Sequence, residues 1–377
     1  MNYNNLDDKT KGMIKIGVTL IVIAVLLLLI SFIYSLFGGS KLSYDKIENQ
    51  MIRGTKKYLE AHPEKKGALD FSTIKIKVSD LIAEGYMKEL SKYTKEGVSC
   101  TGNVLVHKNL DNLSYTPKLD CGKDYKYKNL VDEITKPENI VTADAGLYKV
   151  ETANPYYLYR GEDVNNYVMI GEKLWRILRI ESDNTIRIIE DDTKNRSEWD
   201  NRYNQDKEYD CGINEFTYTE PSRIKEKLTS ILEEEKEIFT SELKSIIVPK
   251  ELCIGKRSTI EIDNTGAVEC SKKSELMQVG IPYLSEYFLA SLDTSCFGLN
   301  SLTCSNYNYL AKTYKKIMTL TASADNSYDV YSITKLPKIT RASNTSYIFL
   351  VINLSKDINY TSGVGTLENP YIIDIKA

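Results

Sequence analysis

The sequence predicts an α+β protein: a single N-terminal transmembrane helix, a small α+β stem, and a larger mixed α+β domain with disulfide-stapled loops. Three observations lead there. Ile16 to Phe37 reads IGVTLIVIAVLLLLISFIYSLF without a charge, and as a helix it would extend roughly 33 Å, enough to cross a hydrocarbon core. Tyrosine is abundant at 27 and proline scarce at 9, a balance that suits β-rich structure with aromatic packing better than disorder. All 7 cysteines lie after the apolar span, and all but Cys211 fall into local couples.

The apolar span sets the organisation. Residues 1–15 are a short polar tail, 16–37 the transmembrane helix, 41–125 the stem, 126–153 a polar linker containing Pro137, and 154–377 the larger domain. A cleaved signal peptide has a shorter apolar region and a small-x-small cleavage site, and Phe37-Gly38-Gly39-Ser40 does not offer one. A buried core helix is the plain alternative, but a helix apolar all round near the N-terminus is rarely that. Charge does not orient the span, because Lys9, Lys11 and Lys15 before it are balanced by Lys41, Lys46 and Arg53 after it.

Cysteine placement breaks the tie. Proximity along the chain pairs Cys100 with Cys121, Cys253 with Cys270, and Cys296 with Cys304, leaving Cys211 over. The competing reading is a set of buried free thiols in a cytosolic protein. No couple has the C-x-x-C spacing of zinc or redox sites. Disulfides need an oxidising setting, so the N-terminus is expected in the cytoplasm and the bulk of the chain outside the cell. The net charge of −3, with both signs interspersed, argues against a nucleic-acid surface.

Taken in order, Leu42 to Leu59 has helical periodicity, with Tyr44, Ile47, Met51 and Tyr58 near one face. His62 to Gly67 reads as a polar loop. Val78-Ser79-Asp80 opens a short helix that Gly85-Tyr86 closes. Strands follow at Gly102–Lys108 and Leu113–Leu119, bracketed by Cys100 and Cys121. In the larger domain Tyr167–Ile170, Leu174–Ile180 and Thr185–Ile189 alternate as strands, with a turn at Asp183-Asn184. The alternation puts Trp175 in the core. Ser222 is placed to cap a helix through Leu228 and Leu232, and further helices are predicted at Ser241–Ile247 and Leu284–Leu289. Tyr307–Leu310 comes next. The late strands are Val330–Ile333 and Ile348–Leu354. Gly363, Gly365 and Asn369-Pro370-Tyr371 form a turn before a last strand, not a phosphate loop, since no helix follows.

Two resemblances cover most of the chain. The apolar helix, the helical stem, the segment VSDLIAEGYMKEL and the cysteine-bracketed hairpin, over residues 16–125, resemble pilin-like exported modules of low-GC Gram-positive bacteria. Gly17-Val18-Thr19-Leu20-Ile21 resembles the type IV prepilin processing motif, although Val22 stands where that family has glutamate. Over residues 155–377, LWRILRIESDNTIRII, WDNRYN, SRIKEKL, LCIGKRS, YLSEYFLASLD, CSNYNYLA, TLTAS and SGVGTLENPYII resemble a large, functionally uncharacterised family of bacterial surface domains. That family is similar in pattern to sulfatase-modifying-factor and C-type-lectin-like domains, which implies short helices, twisted strands and long disulfide-fixed loops. Ile317-Met318 stand where the family often has tryptophans, and Phe349 where an arginine often precedes the final strand. If those positions build a ligand pocket, it is altered here.

The chemistry is limited by what is missing. The only 2 histidines, His62 and His107, lie in the stem, so residues 154–377 can form neither a His-based nucleophile nor a His-ligated zinc site. The resemblance to formylglycine-generating enzymes implies a reactive late cysteine pair. Cys296 and Cys304 are the only such couple, and their surroundings do not supply the electropositive setting a thiolate needs. Glu190, Asp191, Asp192, Glu198, Asp200 and Asp206 could gather around calcium, but a solvated acidic loop with Lys194, Arg196 and Arg202 accounts for them as well. No spacing sets two carboxylates across a glycoside-cleaving cleft. Trp199, Tyr203, Tyr209, Phe216 and Tyr218 cluster in a loop-rich stretch where exposed rings could stack on sugars or anchor an interface; core packing is the commoner role for such rings.

These readings converge on a membrane-anchored bacterial cell-surface protein that binds or displays rather than catalyses. Its partner would be an envelope glycan or a surface protein, met at Trp199, Asp200, Arg202 and Tyr203, with no cofactor expected and calcium the one cation considered. The alternatives are a pilus-like structural subunit and a cysteine-dependent oxidase of the formylglycine-generating type.

Overall fold

In the computed structural model the predicted amphipathic stretch is helix α1 (Tyr44–Ala61), and its spacing is explained by what it covers. Ile47, Met51, Tyr58 and Leu59 recur on one face and pack onto Val104, Val106 and Leu119 of a three-stranded sheet. The structure describes residues 19, 42–67, 73–109, 112–205, 211–293, 296, 299, 308–312 and 315–375. The Ile16–Phe37 span, apart from Thr19, lies outside them. Among the described residues no helix is long and apolar enough to cross a membrane.

The stem sheet is β1 (Thr73–Lys77), β2 (Thr101–Asn109) and β3 (Asn112–Asp120), all antiparallel. The stretch expected as a polar loop contains the one-turn helix α2 (Pro63–Gly67), begun by a proline whose fixed φ suits a first helical position. Helix α3 (Val78–Ala83) follows β1 directly and is closed by Gly85 at φ 80°. The Cys100–Cys121 disulfide closes the open end of the hairpin, beside the Thr101–Asp120 pair.

The linker expected at residues 126–153 is corrected by the structure, because this stretch is folded into the larger domain. Asn129 caps helix α4 (Leu130–Ile134), its Oδ1 accepting from Asp132 N at 3.1 Å. Leu130, Val131 and Ile134 are buried in the larger core. Strand β4 (Gly146–Val150) then pairs with β5 (Tyr156–Arg160). Isolated apolar residues in a polar run gave no periodic signal, and their partners lie far along the chain. Asn129 Nδ2, for instance, donates to the carbonyls of Lys356 and Ile358 at 2.9 and 3.2 Å.

The alternation read in the larger domain corresponds to β6 (Tyr167–Ile170), β7 (Lys173–Ile180) and β8 (Ile186–Glu190), followed by the short β9 (Arg196–Ser197). The β7–β8 turn holds Asn184 at φ 65°, a conformation asparagine tolerates better than most residues. Helix α5 (Arg223–Glu234) begins as expected, with Ser222 Oγ accepting from Lys225 N at 3.3 Å. Next come α6 (Ser241–Ile246), β10 (Lys250–Cys253), β11 (Lys256–Arg257), β12 (Lys273–Met277), β13 (Val279–Gly280) and α7 (Leu284–Leu289). The chain then runs through β14 (Ile317–Ser323), β15 (Asp329–Ile333), β16 (Pro337–Arg341), β17 (Ser346–Tyr347) and β18 (Val351–Leu354). It ends with β19 (Asn359–Ser362) and β20 (Tyr371–Asp374).

The main sheet has the order β13-β18-β8-β7-β6-β20-β19, with β5 joining the second half of the β7 edge. A second sheet runs β16-β15-β14-β17-β9, with β11 on β14, and β10-β12 is a separate ribbon. The fold is therefore mixed α+β with a sheet-rich larger domain. Between β19 and β20 the expected turn requires glycine. Gly363 sits at φ 103°, and a Cβ there would fall 1.9 Å from the Pro370 carbonyl oxygen. The turn delivers β20 parallel to β6.

Beneath the main sheet, Arg187 of β8 donates through Nε and Nη2 to both carboxylate oxygens of Glu286 on α7. Glu286 also accepts from Tyr283 N at 2.9 Å. Burial works to raise the Glu286 carboxyl, but the Arg187 and Arg179 charges outweigh it and hold the group below the usual range.

Cys253 and Cys270 are joined beside the β10–β12 ribbon. Cys296 is also disulfide-bonded, its expected partner Cys304 lying outside the described residues, and Cys211 is free and exposed. Replacing both Cys253 and Cys270 by alanine should lower stability by about 3 kcal/mol, the amount the closed loop suggests. Denaturant titration checks this, and an unchanged midpoint would mean that the bridge restrains little.

Candidate functional site

The site begins with the two-residue period of β7. Trp175 faces the core and is fully buried, so the next residue must point through the opposite face. That residue is Arg176, only 5 % exposed. A guanidinium there needs compensation, and the neighbouring elements provide it. Its carbon lies 4.2 Å from the ring centre of Tyr167, its cross-strand partner on β6, and 4.8 Å from that of Tyr309. Its Nε donates to Asn166 Oδ1 at 2.9 Å, while Asn166 Nδ2 is spent on the Ile177 carbonyl at 2.7 Å. Asp191 Oδ1 lies 4.0 Å from Arg176 Nη1, too far for a hydrogen bond.

Around this arginine is a cavity of about 310 Å³, within the size range of small-molecule sites. Its wall includes Glu190 and Asp191 at the end of β8, Ile317 at the start of β14, and Phe349 just before β18. Two positions where the sequence departs from the surface-domain pattern, Ile317 and Phe349, thus meet in one cavity with Glu190, Asp191 and Asp192, three of the acidic residues considered for calcium.

Glu190 is fastened on both sides. Its Oε2 accepts from Leu350 N at 2.9 Å, and its Oε1 lies 3.0 Å from Lys173 Nζ. Burial nevertheless pushes its carboxyl up, against the pull of Lys173. Asp191 is raised by the same cause, with Arg176 opposing. Asp192 moves the other way, because Lys315 bonds its carboxylate. Burial lowers Arg176. The cavity therefore combines a flat donor held between two rings with two carboxylates that protonate more readily than usual.

The loop predicted as the binding site has a different character. The Trp199 indole is 1 % exposed and packs edge-on to Phe216, with ring centres 6.4 Å apart. Its backbone is pinned as well: Trp199 N donates to the Ala342 carbonyl and Ile224 N to the Trp199 carbonyl, both at 2.9 Å. Asp200 is fully buried and pairs with Arg202, 2.6 Å from Oδ2 to Nη2. Arg202 Nη2 also donates to the Glu215 carbonyl at 2.9 Å, and Nη1 to that of Glu220. Asp200 and Arg202 thus tie the loop together. Of the four predicted residues only Tyr203, 69 % exposed, presents its ring to solvent. Tyr209 and Asp206 lie outside the described residues. Among the described residues no three acidic, histidine or cysteine side chains gather in a metal-holding group.

Arg176, Asn166, Tyr167 and Tyr309 do not stand out in the sequence. The available signal is an arginine next to a core tryptophan within an alternating strand. Comparison of the chain with family models, with curated proteins and with solved structures finds no match.

Trp199→Ala should cost about 3–5 kcal/mol as a large core truncation, measured by chemical unfolding; a loss below about 1 kcal/mol would mean that the ring is not a core element. Glu190 is raised in the folded state, so its contribution is full below its ordinary value of about 4.5 and is lost as pH rises through the raised value. The melting temperature of the wild type should therefore fall relative to Glu190→Gln as pH climbs from 4.5 to neutrality. A constant or growing wild-type advantage would contradict this.

Proposed function

We propose that the chain is a membrane-anchored bacterial surface protein, held by Ile16–Phe37, whose larger domain binds an envelope glycan without catalysing a reaction on it. The disulfides support an extracellular setting for the domain. One observation carries the binding reading. Arg176 and Asp191 stand 4.0 Å apart on the wall of a cavity of about 310 Å³. A sugar hydroxyl is both a donor and an acceptor. Placed between them, it would donate to the Asp191 carboxylate and accept from the Arg176 guanidinium, closing a gap too long for a direct bond. The cavity is of a size for one sugar unit or a similarly small polyol. Asp191 and Arg176 thereby take the place of the Trp199 loop as the leading contact residues, with Tyr203 an exposed ring that an extended glycan could reach.

The oxidase alternative gains nothing here, since Cys296 is buried and bonded. A glycan array with the full chain in detergent, with and without chelator, tests the proposal. Asp191→Asn should weaken binding about tenfold or more through loss of a charged acceptor while leaving the melting temperature within a few degrees. Binding that is unaffected by this substitution would exclude the cavity, and loss of binding on chelation would point instead to a calcium-bridged site.

A further inference from the structure

Lys118 and Asn359 are 241 positions apart and meet, both buried, where stem strand β3 approaches β19 of the larger domain. Lys118 Nζ donates to Asn359 Oδ1 at 2.9 Å, and Asn359 Nδ2 donates to the Pro117 carbonyl at 2.8 Å. The carboxamide is thus fixed on both sides, oxygen towards the amine and nitrogen towards the backbone. The lysine nitrogen also sits 4.6 Å from the Tyr127 ring centre. Lys118, Tyr127, Asp132 and Asp357 line one cavity of about 310 Å³ beside the pair.

We propose that Lys118 and Asn359 join in an intramolecular isopeptide bond. The neutral amine attacks Asn359 Cγ, a Cγ–Nζ bond forms, the Cγ–Nδ2 bond breaks, and Nδ2 leaves with the amine proton as ammonia. Amine and carboxamide become a secondary amide and ammonia, so no oxidant or cofactor is required. Two features favour the step. Burial brings the Lys118 pKa down to about 8, against the opposing charges of Asp357, Asp132 and Glu48, so part of the amine is neutral near physiological pH. Lys118 Nζ already lies 2.9 Å from Asn359 Oδ1, the atom bonded to Cγ, so the reactants need little translation to meet. The bond would tie stem to head covalently, so that a load applied to one reaches the other without stretching the chain between them.

Peptide mass spectrometry of the full chain decides the matter. The protein is purified folded, held at mildly alkaline pH, reduced, alkylated and digested. The expected result is a branched product uniting the Lys118 and Asn359 peptides, lighter than their sum by one ammonia and absent from Lys118→Arg and Asn359→Ala. Recovery of both peptides separately and at unmodified mass from the wild type would overturn the proposal and leave a plain buried hydrogen bond. The wild-type digest alone separates these two outcomes, so a variant that fails to fold does not blur them.

Discussion

A guanidinium buried on a central strand constrains everything near it. Period-two geometry means that if Trp175 enters the core, Arg176 must pass through the other face of β7, where water is scarce. The surroundings answer that demand in layers. Tyr167 and Tyr309 supply ring faces, Asn166 gives an oxygen, and Asp191 offers a distant counter-charge. They come from three places in the chain, so the arginine draws the start of β6, the end of β8 and the turn at Tyr309 towards a single point. The space left between them is the cavity, and its charge pattern follows from the arginine's requirement for partners.

Another buried arginine in the sheet is handled differently. Arg187 and Glu286 satisfy each other directly, and Glu286 also caps the start of α7. A completed pair of this kind fixes one arrangement of sheet and helix, and breaking it by removing one partner would leave an uncompensated buried charge. Arg176 is not completed in the same way, since its carboxylate stands off at 4.0 Å. That contrast between a closed pair and an open one distinguishes a structural arginine from one able to receive a ligand.

What could be read from the sequence was local. The strands β6, β7 and β8 declared themselves by alternation, α5 by Ser222, and two disulfides by cysteine proximity. Features that depend on distant partners were not legible. The stretch around Leu130 looked like a linker because its apolar residues find their neighbours only after the chain returns near Ile358. Strand β1 acquires its meaning from pairing with β2, beginning with Thr73 opposite His107. Trp199 looked like a ligand platform because other aromatic residues cluster near it in a loop-rich stretch, yet in space Phe216 and the Ala342 backbone enclose it. The cavity was half visible. Ile317, Phe349 and the acidic triplet had each drawn attention, but nothing local showed that they share a wall.

A glycan-binding role requires the head to lie outside the cell with its cysteines bonded. Intact cells treated with a membrane-impermeant maleimide, before and after reduction, test this in one measurement. An exported, bridged head gives weak labelling beforehand, from the exposed free thiol of Cys211, and a strong rise once the bridges are reduced. Labelling that appears only after permeabilisation, and needs no reductant, would contradict it, placing the domain in the cytoplasm with open thiols and no access to an envelope glycan.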